Sequence, residues 1–176
     1  AHLIPIKGLS TFDKVVSEQD QDLRLHLDER QVILKTSRAE VSSRLVEGAF
    51  PRYQAGIPKE FPLVVSFARD DLLSGLRRAA VLTSEESRSV RMSLEDGRVV
   101  LTSRAVDIGE ARVEVEAQIE GEPVEVSFNP EYIIEGVRAM DGATIKIRIS
   151  GRDTPALVEG EEDYIYVVMP VTRRAG

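Results

Sequence analysis

The feature that most constrains the fold of this chain is an internal repeat of about 60 residues. Three times, an apolar segment leads into a short amphipathic helix pattern, and strands with alternating polar and apolar residues follow. Phe12, Leu72 and Ile133 hold equivalent places in the three helix patterns, so the repeats are spaced 60 and 61 positions apart. Each repeat therefore predicts the element order β-α-β-β-β.

The first repeat begins with the apolar segment Leu3–Ile6 and predicts a helix from about Ser10, because Ser10 and Asp13 are spaced like a capping box. The apolar face of that helix would hold Leu9, Phe12, Val15 and Val16. The next strand pattern alternates at Leu23, Leu25 and Leu27, which places His26 on the outward face. We expect His26 to be a surface residue.

The second and third repeats give clearer patterns. Leu63–Phe67 predicts a strand before the second helix, and Val124, Val126 and Phe128 alternate before the third. Asn129 followed by Pro130 marks a helix start, because asparagine caps helices and proline fits their first position. The apolar stripes of the two helices would be Leu72, Leu73, Leu76, Ala79 and Ala80, and then Tyr132, Ile133, Ile134, Val137 and Met140.

Together the repeats predict an α+β protein with antiparallel sheets and a few short helices. Further strands are indicated by alternation at Val90, Met92 and Leu94, and at Ile145, Ile147 and Ile149. Residues 164–171 predict a last apolar strand that is paired in a sheet and stops at Pro170, which has no amide hydrogen. Two prolines at 58 and 62 suggest a domain boundary, which divides the chain into residues 1–61 and 62–176.

Composition excludes several classes of protein. The chain has no cysteine, which excludes disulfides and thiolate metal sites and is consistent with a cytoplasmic protein. It contains no apolar run of about 18 residues, and its first residues do not form a signal peptide. The net charge of −7 argues against tight nonspecific binding of nucleic acid but allows a basic face on an acidic body.

No catalytic, metal or cofactor site is predicted. The sequence has neither a nucleophile elbow nor a phosphate-binding glycine loop. The acidic turn at residues 159–163 is interpreted as solvated rather than as a cation site.

Four motifs cover essentially the whole chain in a fixed order: LVEGAFPRY at residues 45–53, RAAVLT at 78–83 with RSVR at 88–91, FNPEY at 128–132, and YVVMPV at 166–171. In these motifs the chain resembles the bacterial DNA sliding clamp, the β subunit of DNA polymerase III. The resemblance implies the DNA-clamp fold, in which each of three domains holds two repeats. Residues 1–61 would then be the second half of the middle domain, and 62–176 the C-terminal domain. A truncated chain or proteolytic fragment is the favoured explanation, and a natural short clamp relative is the alternative.

The resemblance also implies a function and three surfaces. Family members are non-catalytic processivity factors that encircle duplex DNA as a dimeric ring and dock polymerase, clamp loader and repair proteins through short linear motifs. A peptide-binding groove would be lined by Pro51, Asn129, Tyr132, Pro155, Val167, Met169, Pro170 and Val171. A DNA-facing surface would carry Lys7, Lys14, Arg77, Arg78 and Arg138. The dimer interface would include Val81, Leu82, Asp107, Glu110, Glu114 and Glu116.

Alternatives stay open for each surface. Val167 and Met169 are compatible with ordinary core positions, the charged helices with solvated faces, and the acidic strand with a covered outer strand. For the whole chain, the runner-up is a protein-interaction module of the same fold that does not encircle DNA. A hydrolase with a carboxylate-based site has little support.

Overall fold

The structure is a computed structural model that describes residues 2–20, 22–50, 52–83, 88–105, 108–161 and 164–172. The chain divides into two compact units, Ala1–Arg52 (unit 1) and Tyr53–Gly176 (unit 2). None of the helices in the described ranges is long and apolar enough to cross a membrane. The assignment of residues 1–61 and 62–176 to particular clamp domains stays a prediction.

Unit 1 consists of one helix and one antiparallel sheet. The elements are α1 (Ile6–Val15), β1 (Arg24–Leu27), β2 (Gln31–Lys35) and β3 (Glu40–Arg44), and the strand order is β1-β2-β3. The core is small, with only Phe12, Val32 and Leu34 buried at its centre among the described residues.

The predicted start of the first helix was wrong. The helix begins at Ile6 rather than near Ser10, and its N-cap residue is Pro5. The Pro5 carbonyl oxygen accepts from the amides of Gly8 and Leu9 at 2.8 and 3.1 Å, so it receives the first helical hydrogen bonds. Ser10 therefore lies inside the helix.

The predicted apolar face of α1 is also only partly buried. Phe12 is in the core, whereas Leu9 is 48% exposed and Val16 lies beyond the helix end. Leu25 and Leu27 lie on the same sheet face as buried Leu34 and Val32, as the alternation of β1 predicts, but both side chains are exposed on this end strand. His26 is exposed, as predicted.

Unit 2 holds two sheets and two helices around one core. After a short 3-10 turn (Tyr53–Gly56) come β4 (Leu63–Ala68), α2 (Arg69–Ala80), β5 (Val90–Glu95), β6 (Arg98–Ala105), β7 (Gly109–Glu116) and β8 (Gln118–Gly121). The third repeat supplies β9 (Val126–Phe128), α3 (Pro130–Arg138), β10 (Thr144–Ile149), β11 (Ala156–Glu159) and β12 (Ile165–Val168). The sheets have the orders β12-β11-β10-β4-β8 and β7-β6-β5-β9, all antiparallel.

The two repeats of unit 2 exchange their first strands. β4 begins the second repeat but pairs with β10 of the third, and β9 begins the third repeat but pairs with β5 of the second. Helices α2 and α3 pack against each other, and their buried residues share one core with those of the two sheets. The exchange joins both repeats into one domain-sized unit.

In every repeat the segment after the last predicted strand returns to the first strand. The Val46 amide donates to the Leu3 carbonyl at 2.8 Å, β8 pairs with β4, and the Val171 amide donates to the Ser127 carbonyl at 2.7 Å. The predicted β-α-β-β-β order is therefore confirmed for the helices and main strands, but the prediction did not include this returning segment. The segment forms a regular strand in the second repeat, β8, and makes a single backbone contact in the other two.

The third helix starts where the sequence predicts. Asn129 is the N-cap, its side-chain oxygen accepts from the Glu131 amide at 3.0 Å, and Pro130 is the first helical residue. Ile133, Ile134, Val137 and Met140 are buried as predicted, but Tyr132 is 52% exposed and does not belong to the buried stripe.

Candidate functional site

The C-terminal strand β12 lies at the edge of the five-stranded sheet and has two different faces. Val168 is buried and Tyr166 is partly buried against the core, whereas Val167 is 40% exposed. The alternation continues past the strand, because Met169 is 55% exposed and Pro170 is buried. Val167 and Met169 thus form an exposed apolar strip that faces away from the core, and we refer to these two residues as the C-terminal strip.

The end of the described chain is anchored. After Pro170, the Val171 amide donates to the Ser127 carbonyl on β9. The tail thereby passes from the edge of one sheet to the edge of the other, and the strip is held on a fixed backbone rather than on a frayed end.

Helix α3 borders the same edge from the core side. It packs against β12, and the ring of Tyr166 lies so close to Gly136 that an added Cβ would be 2.7 Å from the Tyr166 Cδ1 atom. Burial, with smaller effects from Glu135, Tyr164 and Tyr132, raises the pKa of the Tyr166 hydroxyl. Tyr132 is one helical turn before Gly136, so it lies on the side of α3 that borders the Tyr166 ring.

Strand β11 pairs with β12 and places side chains next to the C-terminal strip. Leu157 pairs with Val167 and Ala156 with Val168, so Pro155 lies opposite Met169, one step further along the same register. Pro155 is half-buried and Leu157 is buried. Sequence reasoning missed Leu157, although its position two residues after Pro155 would have placed it on the same face.

Of the predicted groove residues of unit 2, Val167 and Met169 lie on the exposed face of β12, with Pro155 opposite Met169. Tyr132 is on α3, which packs on the core-facing side of β12. Asn129 serves as the α3 cap, and Pro170 is buried. Pro51 lies outside the described residues.

A separate polar cleft adjoins the tail. Of the predicted groove residues its lining includes only Val171, and hydroxyl and charged side chains supply most of the rest, among them Arg91, Arg104, Arg152, Glu110, Glu125 and Asp153. Positive and negative groups are equal in number in this set, so the cleft has no clear preference for a charged ligand.

The predicted DNA-facing cations are all exposed, and those of unit 2 are balanced by acidic residues. Lys7 and Lys14 are on α1 of unit 1, while Arg77 and Arg78 are on α2 and Arg138 is on α3. The helices of unit 2 carry four arginines and four carboxylates, namely Arg69, Arg77, Arg78, Arg138, Asp70, Asp71, Glu131 and Glu135. Such a surface favours loose rather than tight contact with phosphates.

The residues predicted for the dimer interface lie at two places in unit 2. Val81, just after α2, is 77% exposed, and Leu82 is half-buried. Glu110, Glu114 and Glu116 are exposed on β7, which is the end strand of the four-stranded sheet. Asp107 lies outside the described residues.

The acidic strand β7 is partly neutralised by arginines on the same sheet face. Glu114 pairs with Arg98 at 3.4 Å and also with Arg112, and Glu95 pairs with both arginines at 2.9 and 3.0 Å. The hydrogen bond from Arg98, reinforced by the charges of both arginines, keeps the pKa of Glu95 below its ordinary value of 4.5. These four residues, which we call the ion-pair network, are all at least one-third exposed.

Acidic side chains near the predicted solvated turn have structural partners. Glu159 accepts from Arg148 at 2.6 Å, and Glu161 accepts from the amides of Ala143 and Thr144 at 2.9 and 3.0 Å. Within the described part of the chain, histidine and acidic side chains do not form a group of three that could hold a metal ion. Glu162 and Asp163 lie outside the described residues.

Comparison with known proteins identifies the family. A family model described as the DNA polymerase III beta subunit, C-terminal domain, matches residues 54–172. A beta sliding clamp from Synechococcus elongatus is 31% identical over 178 residues, covering 98% of this chain and 48% of that protein. One from Caulobacter vibrioides is 29% identical, covering 96% and 46%.

Solved structures agree with the sequence comparison. The DNA polymerase III beta subunit of Thermotoga maritima superposes with a TM-score of 0.89 at 29% identity, covering 98% of this chain and 48% of that one. The DNA polymerase sliding clamp of Pseudomonas aeruginosa gives a TM-score of 0.89 at 26% identity, covering 97% and 47%. The chain thus has the sliding-clamp fold and spans about half the length of the relatives it matches.

Proposed function

Because the chain belongs to the DNA polymerase III β subunit family of bacterial sliding clamps, we propose that it acts as part of a replication clamp, a non-catalytic processivity factor. In this function the C-terminal strip and the residues around it bind short linear motifs of polymerase, clamp-loader and repair proteins. The helices face duplex DNA, which the complete ring encircles without reading its sequence.

The observation that carries this proposal is the exposed apolar edge at β12. Val167 and Met169 are 40 and 55% exposed at the end of a strand that is held by its pairing with β11 and by the Val171–Ser127 hydrogen bond. Tyr132, on helix α3, is 52% exposed. Methionine offers an adaptable apolar surface, and tyrosine combines an apolar ring with a polar hydroxyl. An extended peptide with leucine and phenylalanine anchors would bury its apolar side chains there.

A fluorescence titration with a labelled Gln-x-x-Leu-Phe peptide tests the binding surface. We expect weak binding, with a dissociation constant above about 1 μM, because the chain tested spans only about half the length of the clamps it matches. Met169→Ala should weaken binding by about tenfold or more through loss of buried apolar area. Ile108→Ala is the control, since Ile108 is 75% exposed in the same unit but lies between β6 and β7.

Two results would count against the binding surface. One is equal binding by the Met169→Ala variant and the unchanged chain. The other is equal loss of binding in the Met169→Ala and Ile108→Ala variants, because a nonspecific apolar contact would respond to both changes.

Encirclement of DNA requires a complete ring, so it is tested on a full-length clamp that contains these residues. A topological clamp should stay on circular DNA through salt washes and leave it once the DNA is linearised. Salt-sensitive binding that does not depend on DNA circularity would instead indicate ordinary electrostatic contact.

The second candidate, an interaction module that does not encircle DNA, is favoured by the charge balance of α2 and α3. These helices carry four arginines and four carboxylates, so they provide no net positive charge. Peptide binding without any retention on circular DNA would support this candidate over the clamp.

A further inference from the structure

A half-buried arginine lies on the same sheet face as the C-terminal strip. Arg148 on β10 is opposite Leu157 on β11, and Leu157 is opposite Val167 on β12. Directly opposite residues of neighbouring strands have their side chains on one face. We refer to this face, which is turned away from the core, as the outer face. Neighbouring strands are about 5 Å apart, so the backbone of Arg148 lies about 10 Å from that of Val167.

Leu157 extends the apolar surface of the strip towards this arginine. It is only 7% exposed, yet it does not belong to the common core of unit 2. Its neighbours across the strands of the outer face are Arg148 and Val167. The aliphatic part of an arginine side chain can cover an apolar residue while the guanidinium stays in contact with water. The apolar surface therefore ends at a cationic group.

The guanidinium of Arg148 is held in place and still has donors to offer. Its Nε atom donates to the Glu159 carboxylate at 2.6 Å, and the two side chains are 37% and 25% exposed. Within the described part of the chain, its Nη atoms donate no hydrogen bond. Arginine binds carboxylates through paired N–H groups, and a guanidinium that is already fixed loses little freedom when it does so.

The charges around this guanidinium favour an acidic group in the ligand. Lys146 lies opposite Glu159 on the outer face, so two cations and one carboxylate leave one net positive charge beside the strip. The Glu161 carboxylate is bonded to two backbone amides where β10 begins. Glu120 lies two strands from Arg148 across the same face, which is about the distance at which salt screens exposed charges.

We propose that Arg148 is a specificity-determining residue of the docking surface and binds a carboxylate next to the apolar anchors of the docked motif. An extended peptide spans about 3.3 Å per residue, so an acidic residue adjacent to an anchor on Leu157 can reach the neighbouring strand. The inference rests on the proposed function and adds an acidic residue to the chemistry of the partner motif. Both edges of β10 and β11 are paired, so the ligand reaches Arg148 across the outer face and not as an added strand.

Matched pairs of labelled peptides test this preference by fluorescence titration. Aspartate or asparagine stands directly before the Leu-Phe anchors in one pair and directly after them in the other, with amidated C-termini, because the outer face does not fix the direction of the peptide. At one of the two positions the aspartate peptide should bind about fivefold more tightly than the asparagine peptide. The difference should shrink in about 1 M salt. In Arg148→Gln, both peptides of that pair should bind within about twofold of each other.

Arg91→Gln is the matched control. Arg91 lies on β5 in the other sheet of unit 2 and is also paired with a carboxylate, that of Glu125 at 3.7 Å, so its loss removes the same charge elsewhere. This variant should keep the preference for aspartate. Because Arg148→Gln leaves Glu159 without its partner, the double variant with Glu159→Gln, which keeps a neutral pair at this place, is measured too and should also lose the preference.

The outcomes separate this inference from the proposed function. Equal binding of the aspartate and asparagine peptides at both positions overturns the role of Arg148, while the docking surface still stands if Met169→Ala weakens all of these peptides. If none of the peptides binds, both proposals are overturned. A preference for aspartate that persists in the two Arg148 variants, or that disappears in Arg91→Gln as well, comes from general charge and likewise overturns the role of Arg148.

Discussion

The Nε atom of Arg69 donates a hydrogen bond to the main-chain carbonyl oxygen of Met140 at 3.0 Å. It also reaches the Val137 carbonyl at 3.3 Å, so the first residue of α2 caps the end of α3 across 71 positions of sequence. The Arg69 amide adds a bond to the Ala143 carbonyl at 2.8 Å. The guanidinium therefore links the two repeats of unit 2 at the point where their helices meet.

Arg69→Ala should destabilise unit 2 by about 2 kcal/mol, because hydrogen bonds from a charged donor are lost and helix-end carbonyls lose their partner. Urea unfolding followed by circular dichroism measures the change. Arg78→Ala is the matched control, since the Arg78 Nε atom donates only within its own helix, to Ser74 at 3.4 Å, and should change the free energy of unfolding by less than about 0.5 kcal/mol. Equal losses in the two variants would contradict the proposed link.

Ser103→Ala should also destabilise unit 2, by about 1 to 2 kcal/mol. Ser103 is only 2% exposed, and its hydroxyl donates to the Ala79 carbonyl near the end of α2 at 2.6 Å. Removing the hydroxyl leaves a buried carbonyl without this donor. In Ser93→Ala, the control, an exposed hydroxyl bonded to Glu125 at 3.4 Å is lost, and the urea midpoint should hardly move.

Much of the fold follows from local sequence patterns. The Asn129–Pro130 start of α3 is confirmed because its cap depends only on neighbouring residues. The start of α1 was missed because Pro5 caps through its carbonyl, which leaves no side-chain signature. Leu25 lies on the predicted face, opposite buried Leu34, but is exposed, since alternation shows which face a side chain takes and not whether another element covers it.

Pairings between distant segments had no signal in the sequence. The exchange of β4 and β9 between repeats depends on which strand edges pair with each other. Apolar periodicity shows where a strand is but not which strand it pairs with. The returning segments were also missed. A contact such as the hydrogen bond from Val171 to Ser127 joins single residues and leaves no periodic pattern in the sequence. For the candidate site, the sequence located the exposed β12 residues, but the support from Leu157 required the register.

Gly136→Ala should destabilise unit 2 by about 1 to 3 kcal/mol, although alanine is the better helix former. Its Cβ would lie 2.7 to 3.0 Å from three atoms of the Tyr166 ring, so α3 and β12 would have to separate. Thermal unfolding measures the cost. Gly56→Ala is the control, because no atom lies within 4 Å of a Cβ added there.

A double-mutant cycle identifies the clash as the cause. In a Tyr166→Leu background, the Gly136→Ala change should be much less destabilising, since the ring atoms in contact are gone. The same loss of stability in both backgrounds would mean that the helix backbone, and not the tyrosine ring, sets the requirement for glycine.

The ion-pair network should make the stability of unit 2 depend on acid. The pKa of Glu95 is below its ordinary value of 4.5 in the folded chain, chiefly through the hydrogen bond from Arg98. The carboxylate therefore stabilises the fold fully above the unfolded pKa, and this stabilisation is lost as the pH falls through the lower folded pKa. Glu95→Gln should accordingly show a smaller decrease in urea midpoint between neutral and strongly acidic pH than the unchanged chain. Glu116→Gln, on β7 but outside the network, is the control, and an equal effect of both substitutions would show that the acid dependence comes from general charge rather than from these pairs.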